Sequence, residues 1–479
     1  MATITSSLGG SGSALNVIQQ ALSVVQDNVS NSSTPGYATQ QVNLQALPMD
    51  STNATGGGVA SAGVSSSRDP YADAAVELQL QSLGLYTAQS QSTGTVQSFF
   101  DVTGSSGVST AITNLYTAFS AWSASPSDPS TGQSVLAAAA DVATSINGLS
   151  TSLQQTAAQI GQQANSTVTQ INSIAAQIKQ YNITRESTGT DDPGAQAQLQ
   201  TNLESLANLV NFTALTQADG TVTVLVGGGT SLVTGDQQYS LSSSQSVDTV
   251  PVPSNPDSPP TTHVYDSQGN DITGSITGGT LGGLLDTGNR VLAGIIGDSQ
   301  NAGSLNVLAK NLADTVNQVL ESGTVSTAPG AAAGTALFTY NNSDATLAAS
   351  TLAVNPSITT AQLAPVDSSG NANGNASVLA GLASPSGTQG AINGMNYVQY
   401  FASIAANVGQ ENATAQVNQQ AQQQVTTQAQ SLRDSISKVS LDGQAALLMQ
   451  YNQAYQSIAR VLTVVNSLAD SIINLVPQV

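Results

Sequence analysis

Two apolar seams with a seven-residue rhythm, one at each end, limit what this chain can fold into. From about Gln444 to Val476 the positions Leu448, Tyr451, Tyr455, Ile458, Leu462, Val465, Ala469, Ile472 and Val476 alternate steps of three and four. That spacing keeps one stripe turned toward a partner helix. Near the start, Ile4, Leu8, Ser11, Leu15, Ile18, Leu22, Val25 and Val29 repeat the pattern, broken only at Ser11. A second stripe, Ala14, Val17, Ala21 and Val24, widens the first helix, and Val461, Val464, Leu468 and Leu475 widen the last. A helix apolar on more than one side needs neighbours on more than one side. Charge is nearly absent, with Asp27 alone in residues 1–49 and only Asp442, Arg460 and Asp470 after Lys438. The two seams are expected to pair within one chain, and both helices to carry contacts between chains. The expected assembly surface is Leu8, Leu15, Ile18, Leu22, Val25, Val29, Leu448, Tyr451, Tyr455, Ile458, Leu462, Val465, Leu468 and Ile472.

The first helix is expected over 5–31, capped by Thr3 or Thr5. Gly9, Gly10 and Gly12 each cost about 1 kcal/mol against Ala, so the helix should order only when covered. Thr34-Pro35-Gly36 ends it. Residues 43–67 read as loop or short strands around a Gly56-Gly57-Gly58 hinge. A helix from Pro70 buries Val76, Leu80 and Leu83. Another carries Val108, Ile112, Leu115, Phe119 and Trp122. After the Ser125-Pro126-Ser127-Asp128-Pro129 turn, a long helix over 134–182 should show the seam Val135, Ala139, Val142, Ile146, Leu149, Leu153, Ala157, Ile160, Ala164, Thr167, Ile171, Ile174, Ile178, Tyr181. Its double step of four at Leu149–Leu153–Ala157 is a stutter. Asp191-Asp192-Pro193-Gly194 breaks the chain before a returning helix, Ala195–Val210.

The period then falls to two. Thr221–Val226 alternates after an Asp219-Gly220 turn, and strands are expected at Ser231–Val233, Tyr239–Leu241, His263–Tyr265 and Ile272–Ile276, around a Pro251–Pro260 excursion. Leu281–Ser322 reads as helix, 325–390 as short β pieces such as Ala336–Tyr340 and Thr351–Val354, and Ala391–Lys438 as a Gln-rich helix. The expected fold is multidomain α+β: a terminal α-helical coiled coil and a long-helix bundle, with a discontinuous β-rich domain inserted. The units are 1–45 with 440–479; 46–211, 281–324 and 391–439; and 212–280 with 325–390.

Composition excludes several functions. Only 8% of the chain is charged and its net charge is −20, so it lacks the clustered cations that hold nucleic acid. There is no cysteine, hence no disulfide or thiolate site. The N-terminus lacks the basic region of a Sec signal peptide. No run of about 18 apolar residues exists, so no membrane insertion is expected. The single histidine, His263, permits no two-histidine metal site. Gly9-Gly10-Ser11-Gly12-Ser13 misses the nucleophile-elbow spacing. Gly227-Gly228-Gly229-Thr230 lacks the lysine of a phosphate loop and reads as a turn. Asp191-Asp192 reads as a solvated turn. Asn-x-Ser/Thr triplets such as Asn182-Ile183-Thr184 follow from composition. No enzyme, cofactor or metal is expected.

The segment Asn28-Val29-Ser30-Asn31-Ser32-Ser33-Thr34-Pro35-Gly36-Tyr37 resembles the N-terminal motif of bacterial flagellar rod, hook and hook-associated proteins. Met449-Gln450-Tyr451-Asn452-Gln453-Ala454-Tyr455-Gln456-Ser457-Ile458-Ala459-Arg460-Val461-Leu462 is similar to their C-terminal end. Residues 115–136, with Ser123-Ala124-Ser125-Pro126-Ser127-Asp128-Pro129, narrow the resemblance to the hook-associated protein 1 family of hook–filament junction proteins. So do Asp219-Gly220-Thr221-Val222-Thr223-Val224, Gly227-Gly228-Gly229-Thr230, Gly279-Thr280-Leu281-Gly282-Gly283-Leu284-Leu285-Asp286 and Leu312-Ala313-Asp314-Thr315-Val316-Asn317. Two segments depart from the family. Ser440-Leu441-Asp442-Gly443-Gln444 replaces an acidic pair, leaving Asp442 to cap the last helix. Ala195-Gln196-Ala197-Gln198-Leu199 replaces an Arg-rich pattern, which removes the grounds for carrying an ion pair over to 195–205.

The resemblance implies an extracellular structural protein, exported unfolded through the flagellar type III channel and forming a ring between hook and filament. Its implied partners are copies of itself, the hook protein, hook-associated protein 3 and a type III export chaperone on the C-terminal helical region. Another axial protein (a hook protein or flagellin) is the nearest alternative. A flagellin would lack Thr34-Pro35-Gly36-Tyr37, and a hook protein the long helical middle. An adhesin or enzyme on axial ends would need a catalytic or ligand constellation in 212–280 or 325–390, where none is found.

Overall fold

The computed structural model describes residues 2–48, 58–100, 106–189, 192–246, 261–385, 387 and 389–475. Gly56 and Gly57 of the expected hinge, Asp191, the Pro251–Pro260 excursion and Val476 lie outside these, as do the side chains of Ile4, Ile472 and Leu475.

Helix α1 runs Ala2–Ser30, so neither Thr3 nor Thr5 caps it. Strands β1 (Gln40–Leu47) and β2 (Gly58–Ser66) form an antiparallel hairpin with an irregularity between Val42 and Leu44. Helix α2 (Pro70–Gln97) starts on Asp69, whose carboxylate accepts the Tyr71 and Ala72 N–H groups. Helix α3 spans Val108–Ala124. Helix α4 is the spine, 60 residues from Pro129 to Thr188, or about 90 Å. It begins before the expected Ser134 because Asp128 caps it and Pro129 serves as its first residue. It ends at Gly189, whose φ of 63° suits the left-handed stop. Helix α5 (Pro193–Leu209) returns alongside, capped by Asp192.

A four-stranded antiparallel sheet follows, β3 (Phe212–Thr216), β4 (Val222–Val226), β5 (Thr230–Thr234) and β6 (Gln237–Gln238), paired in sequence order. Strand β7 (Ser242–Ser246) pairs with β8 (Thr261–Tyr265). The strand expected at Ile272–Ile276 is instead a 3-10 turn over Thr273–Ser275. The helix expected over Leu281–Ser322 is broken. Helix α6 (Gly279–Asp286) leads into a π-turn, Thr287–Leu292, then α7 (Ala293–Ile296). Gly297 and Gly303, both at positive φ, then turn the chain into α8 (Ser304–Glu321).

In 325–390 the extended backbone is a two-residue ladder, β9 (Phe338–Thr339) with β10 (Ala353–Val354), among helical turns α9 (Ala348–Thr351) and α10 (Gly374–Gly381). Helix α11 (Tyr397–Ser437) begins at an Asn396/Gln399 capping box rather than at Ala391. Helix α12 (Leu441–Leu475) starts on Ser440, whose Oγ accepts the Gly443 N–H at 3.2 Å; Asp442 sits in the first turn instead of capping. The architecture is thus the expected α+β mixture of long helices and small antiparallel sheets.

One hydrophobic cluster runs from Val76 to Val408 and holds α3 against α4 through Ile112, Leu115, Phe119 and Trp122. The α4 seam follows the expected register from Val135 to Ile171, stutter included. It then slips: Ala175, Ile178 and Asn182 are buried, while Ile174 and Tyr181 are half-buried. A second double step of four, Thr167–Ile171–Ala175, resets the phase. Among the described residues no member of α1, β1, β2 or α12 joins this cluster. Val17, Ala21, Val25 and Ala38 are buried outside it.

Helical asparagines fasten extended chain to this frame. Asn182 Nδ2 donates to the Val222 carbonyl and its Oδ1 accepts the Val222 N–H, both at 2.8 Å. Asn172 grips Leu241 in the same two-way manner, Asn289 grips Thr262, and Asn317 grips Phe338. A carboxamide carries the same donor and acceptor as a peptide group and no charge, so it stands in for a missing strand at little burial cost. The sequence reading joined 212–280 with 325–390. In the structure the first meets α4 from Ala157, whose carbonyl accepts from Gln245, to Asn182, while the second is held at Asn147, whose Nδ2 donates to the Ala349 carbonyl. Asn147 and Ala157 are about 15 Å apart along the helix.

Candidate functional site at the terminal helices

Helices α1 and α12 pack along each other. The C-terminal end of α1 meets the N-terminal end of α12, where Asn28 Nδ2 donates to Gln444 Oε1 at 3.1 Å, so they run antiparallel. The buried line on α1 is Val17, Ala21, Val25 and Asn28, turned toward the second stripe. Leu8, Leu15, Ile18 and Leu22 are half-buried, and Val29 is 44% exposed. On α12, Leu448, Tyr451, Tyr455, Ile458, Leu462 and Val465 are half-buried. Val461, Val464 and Leu468 are more than half exposed. Ile472 lies within the helix backbone. The pairing therefore covers one side of each helix and leaves apolar surface on the other. The β1–β2 hairpin flanks α1, with Leu44, Leu47 and Val64 turned outward.

The Asn28–Tyr37 motif is the joint. Asn28 is 1% exposed and uses all its capacity. Its Nδ2 donates to the Gln40 carbonyl at 2.8 Å as well as to Gln444; its Oδ1 accepts from the Gln40 N–H and the Tyr37 hydroxyl. Burial, and then the charge of Asp27, holds the Tyr37 hydroxyl above its usual range. Below the loop, Thr39 N–H donates to the Ser437 carbonyl and Ser67 N–H to the Thr39 carbonyl, both at 2.8 Å. Arg68 reaches up to the Gly36 carbonyl and across to Asp73 at 2.9 Å. Arg433 pairs with Glu204 and Asp434, so the 195–205 region does carry an ion pair, at Glu204 rather than in the altered segment. Burial pushes the Glu77 carboxyl up to about 7; the Gln200 hydrogen bond opposes it, and Asp73 and Glu204 add to it.

The model of the flagellar hook-associated protein FlgK helical domain matches residues 93–338, just over half the chain. The chain belongs to the FlgK family. It is 26% identical to flagellar hook-associated protein 1 of Bacillus subtilis (strain 168) over 505 aligned residues, covering 96% of each chain. It is 32% identical to flagellar hook-associated protein 1 of Escherichia coli (strain K12) over 109 residues, which cover 23% of this chain and 20% of that one. Among solved structures, the flagellar hook junction protein FlgK from Burkholderia pseudomallei aligns with a TM-score of 0.47 and 24% identity, over 56% of this chain and 46% of that chain.

In this FlgK family member the helix leading to the terminal unit shows a surface that sequence reading missed. The lower half of α11 runs antiparallel to α2 through a polar seam. Asn412 bonds Gln97, Gln419 bonds Thr87, and Gln422 bonds Gln79 at 2.6 Å. On its outer side Val417, Val425, Leu432 and Ile436 are exposed. Their spacing of eight, seven and four was present in the sequence but masked by the surrounding glutamines. This stripe leads toward Leu441 at the start of α12, itself 54% exposed.

The catalytic-looking groups fall into structural places. His263 Nδ1 lies 2.8 Å from Asp271, and its Nε2 lies 3.0 Å from the Thr261 hydroxyl. Asp271 also accepts from the Thr273 N–H and hydroxyl, which ties β8 to the following turn. Gly227 and Gly228 take positive φ in the β4–β5 turn, and Gly9 to Ser13 are helical. No group of three His, Asp or Glu side chains placed to hold a metal ion occurs among the described residues, and no described helix is long and apolar enough to cross a membrane.

Proposed function

We propose that the chain works as one subunit of a ring at the junction of flagellar hook and filament, joined to its neighbours through the outward faces of α1 and α12. Membership of the FlgK family makes it a structural protein of the hook–filament junction. The observation that carries the assembly reading is the uncovered apolar side of α12: Val461, Val464 and Leu468 face solvent in the single chain. The predicted seam residues, Leu8 to Val29 and Leu448 to Ile472, supply the pairing of the two helices and part of the contact between copies. The exposed α11 stripe extends that surface. The hook protein on one side and hook-associated protein 3 on the other are the neighbours proposed for it. An export chaperone would cover the C-terminal helical region before assembly, when its apolar sides have no other cover. The protein is extracellular in this reading, reaching its place through the flagellar channel.

Electron microscopy of a strain lacking the gene tests this. Hooks should end bare, with filament subunits shed into the medium. Filaments of normal length would overturn the assignment.

A further inference from the structure

The sequence holds three Asn-Gly pairs, at Asn147, Asn373 and Asn393, and the fold treats them differently. Asn147 lies inside α4, with its Nδ2 held by the Ala349 carbonyl and the Gly148 N–H within the helix ladder. Asn373 Nδ2 donates to the Ser123 carbonyl at 3.0 Å, and the Gly374 N–H donates to the Asn371 carbonyl. The Asp367 side chain crowds Gly374 as well. Asn393 and Gly394, by contrast, are exposed at the tip of a two-residue turn just before α11. Ile392 and Met395 close that turn by exchanging N–H···O bonds of 2.9 and 3.0 Å. Among the described residues, neither the Asn393 side chain nor the Gly394 N–H has a hydrogen-bond partner. Nothing lies within 4 Å of the place where a Cβ on Gly394 would stand.

Asn393 is the one described non-glycine residue at positive φ, 54°, and Gly394 follows at 77°. Two successive residues at positive φ make a type I′ turn. Flipping the single peptide between them gives type II′, in which Asn393 keeps its positive φ and Gly394 takes a negative one. Glycine adopts either sign freely, and no hydrogen bond restrains the Gly394 N–H. The flip swings the Gly394 nitrogen to the side of the Asn393 Cα that carries Cβ, within reach of Cγ.

We propose that Asn393 is a self-modifying site, at which the folded chain loses ammonia and becomes aspartate or isoaspartate. The Gly394 nitrogen gives its proton to solvent base and attacks Asn393 Cγ. A new N–Cγ bond closes a cyclic imide, the Cγ–Nδ2 bond breaks, and Nδ2 takes up a proton and leaves as ammonia. Water then opens the ring, and no oxidant or reductant is needed. Cleavage of the N–Cγ bond gives aspartate. Cleavage between the nitrogen and the backbone carbonyl carbon gives isoaspartate, whose chain runs on through Cβ and Cγ. Either product adds a negative charge. Isoaspartate also adds one backbone atom to a two-residue turn, so the paired Ile392–Met395 bonds lose their register. The Asn396–Gln399 capping box that starts α11 follows directly. The site rests on this turn and not on the ring reading.

Peptide mapping by mass spectrometry tests this on the purified full-length chain held at pH 8. Conversion of amide to acid at Asn393 should run at least tenfold faster than at Asn147 and Asn373, with aspartate and isoaspartate peptides appearing together. In urea the three sites should converge. No conversion at Asn393, equal rates in the folded chain, or aspartate alone, the mark of direct hydrolysis, would overturn the site. A gap that persists in urea would overturn the role of the turn. In the separated isoaspartate form the Gln399 amide, which donates to Asn396 Oδ1 at 2.8 Å, should lose at least tenfold in exchange protection while the Val224 amide stays level. Unchanged protection would overturn the link to α11.

Discussion

Asn28 and Gln444, 416 positions apart, share a buried hydrogen bond of 3.1 Å. It closes the two ends of the chain on one another at the place where the terminal helices leave the body. Asn28 also binds both polar groups of Gln40, so one side chain positions a helix, a loop, a strand and the opposite terminus.

Asn28→Ala should leave the Gln40 peptide groups and the Tyr37 hydroxyl without their partner. The expected cost is about 2–4 kcal/mol, from desolvated groups left unpaired, and it should be confined to the terminal unit. Limited proteolysis would show faster trimming of both ends with the body's thermal transition unmoved. An unchanged cleavage pattern would contradict the assigned role.

Substitutions on the two sides of α12 should separate folding from assembly. Leu462→Asp sits on the half-buried side and should loosen the α1–α12 pair in the monomer. Leu468→Asp is on the exposed side and should change monomer stability by less than about 0.5 kcal/mol, yet block incorporation into flagella. Circular dichroism of the monomers and immunogold counts at hook tips would check both. Normal incorporation of Leu468→Asp would remove the outer face from the contact set.

Glu77 gives a stability prediction with a definite sign. Its folded value, about 7, exceeds the ordinary 4.5, so between those limits the folded state holds a proton that the unfolded chain has lost. Stability therefore falls as pH rises through that window and levels off above it. Glu77→Gln should be more stable than wild type by about 2–3 kcal/mol at pH 8 and show no gain below pH 4.5. Urea midpoints at the two pH values measure this.

Asn182→Ala should release β4 from α4. The side chain is fully buried and also donates to the Gly235 carbonyl at 2.8 Å. A loss of about 2–4 kcal/mol is expected, with exchange protection lost first in β4 and β5 while α3 and the first half of α4 stay protected.

Helical periodicity carried the α4 seam from Val135 to Ile171, where every seam position is buried. It missed the slip to Ala175 and Asn182, where an amide bonded to β4 does the work of an apolar residue. The same substitution hid Asn182 in a triplet that composition explained equally well. Period-two patterning found β4 and β8, but it overstated extended structure in 325–390. There, backbone groups are satisfied by isolated bridges and by Asn317 and Asn306 rather than by a sheet. On α1 the wider seam was legible as apolar, but not which of its lines is buried once α12 and the hairpin both pack on the helix. Val17, Ala21 and Val25 are buried, while Leu15, Ile18 and Leu22 stay half-buried.

The asparagine clamps have a consequence for the medium in which the molecule stands. Dissolved ions screen charges but leave a neutral amide bond nearly untouched. A body joined at Asn172, Asn182, Asn289 and Asn317 should keep the same internal geometry in dilute water and in brine. Among the described residues, ionic strength acts first on the exposed pairs, Arg290 with Asp286 and Glu411 and Lys310 with Asp314, and less on the more buried pairs of Arg68 and Arg433. Salinity is then felt where Arg290 ties α11 to the turn after α6, while the asparagine-held joints stay indifferent to it.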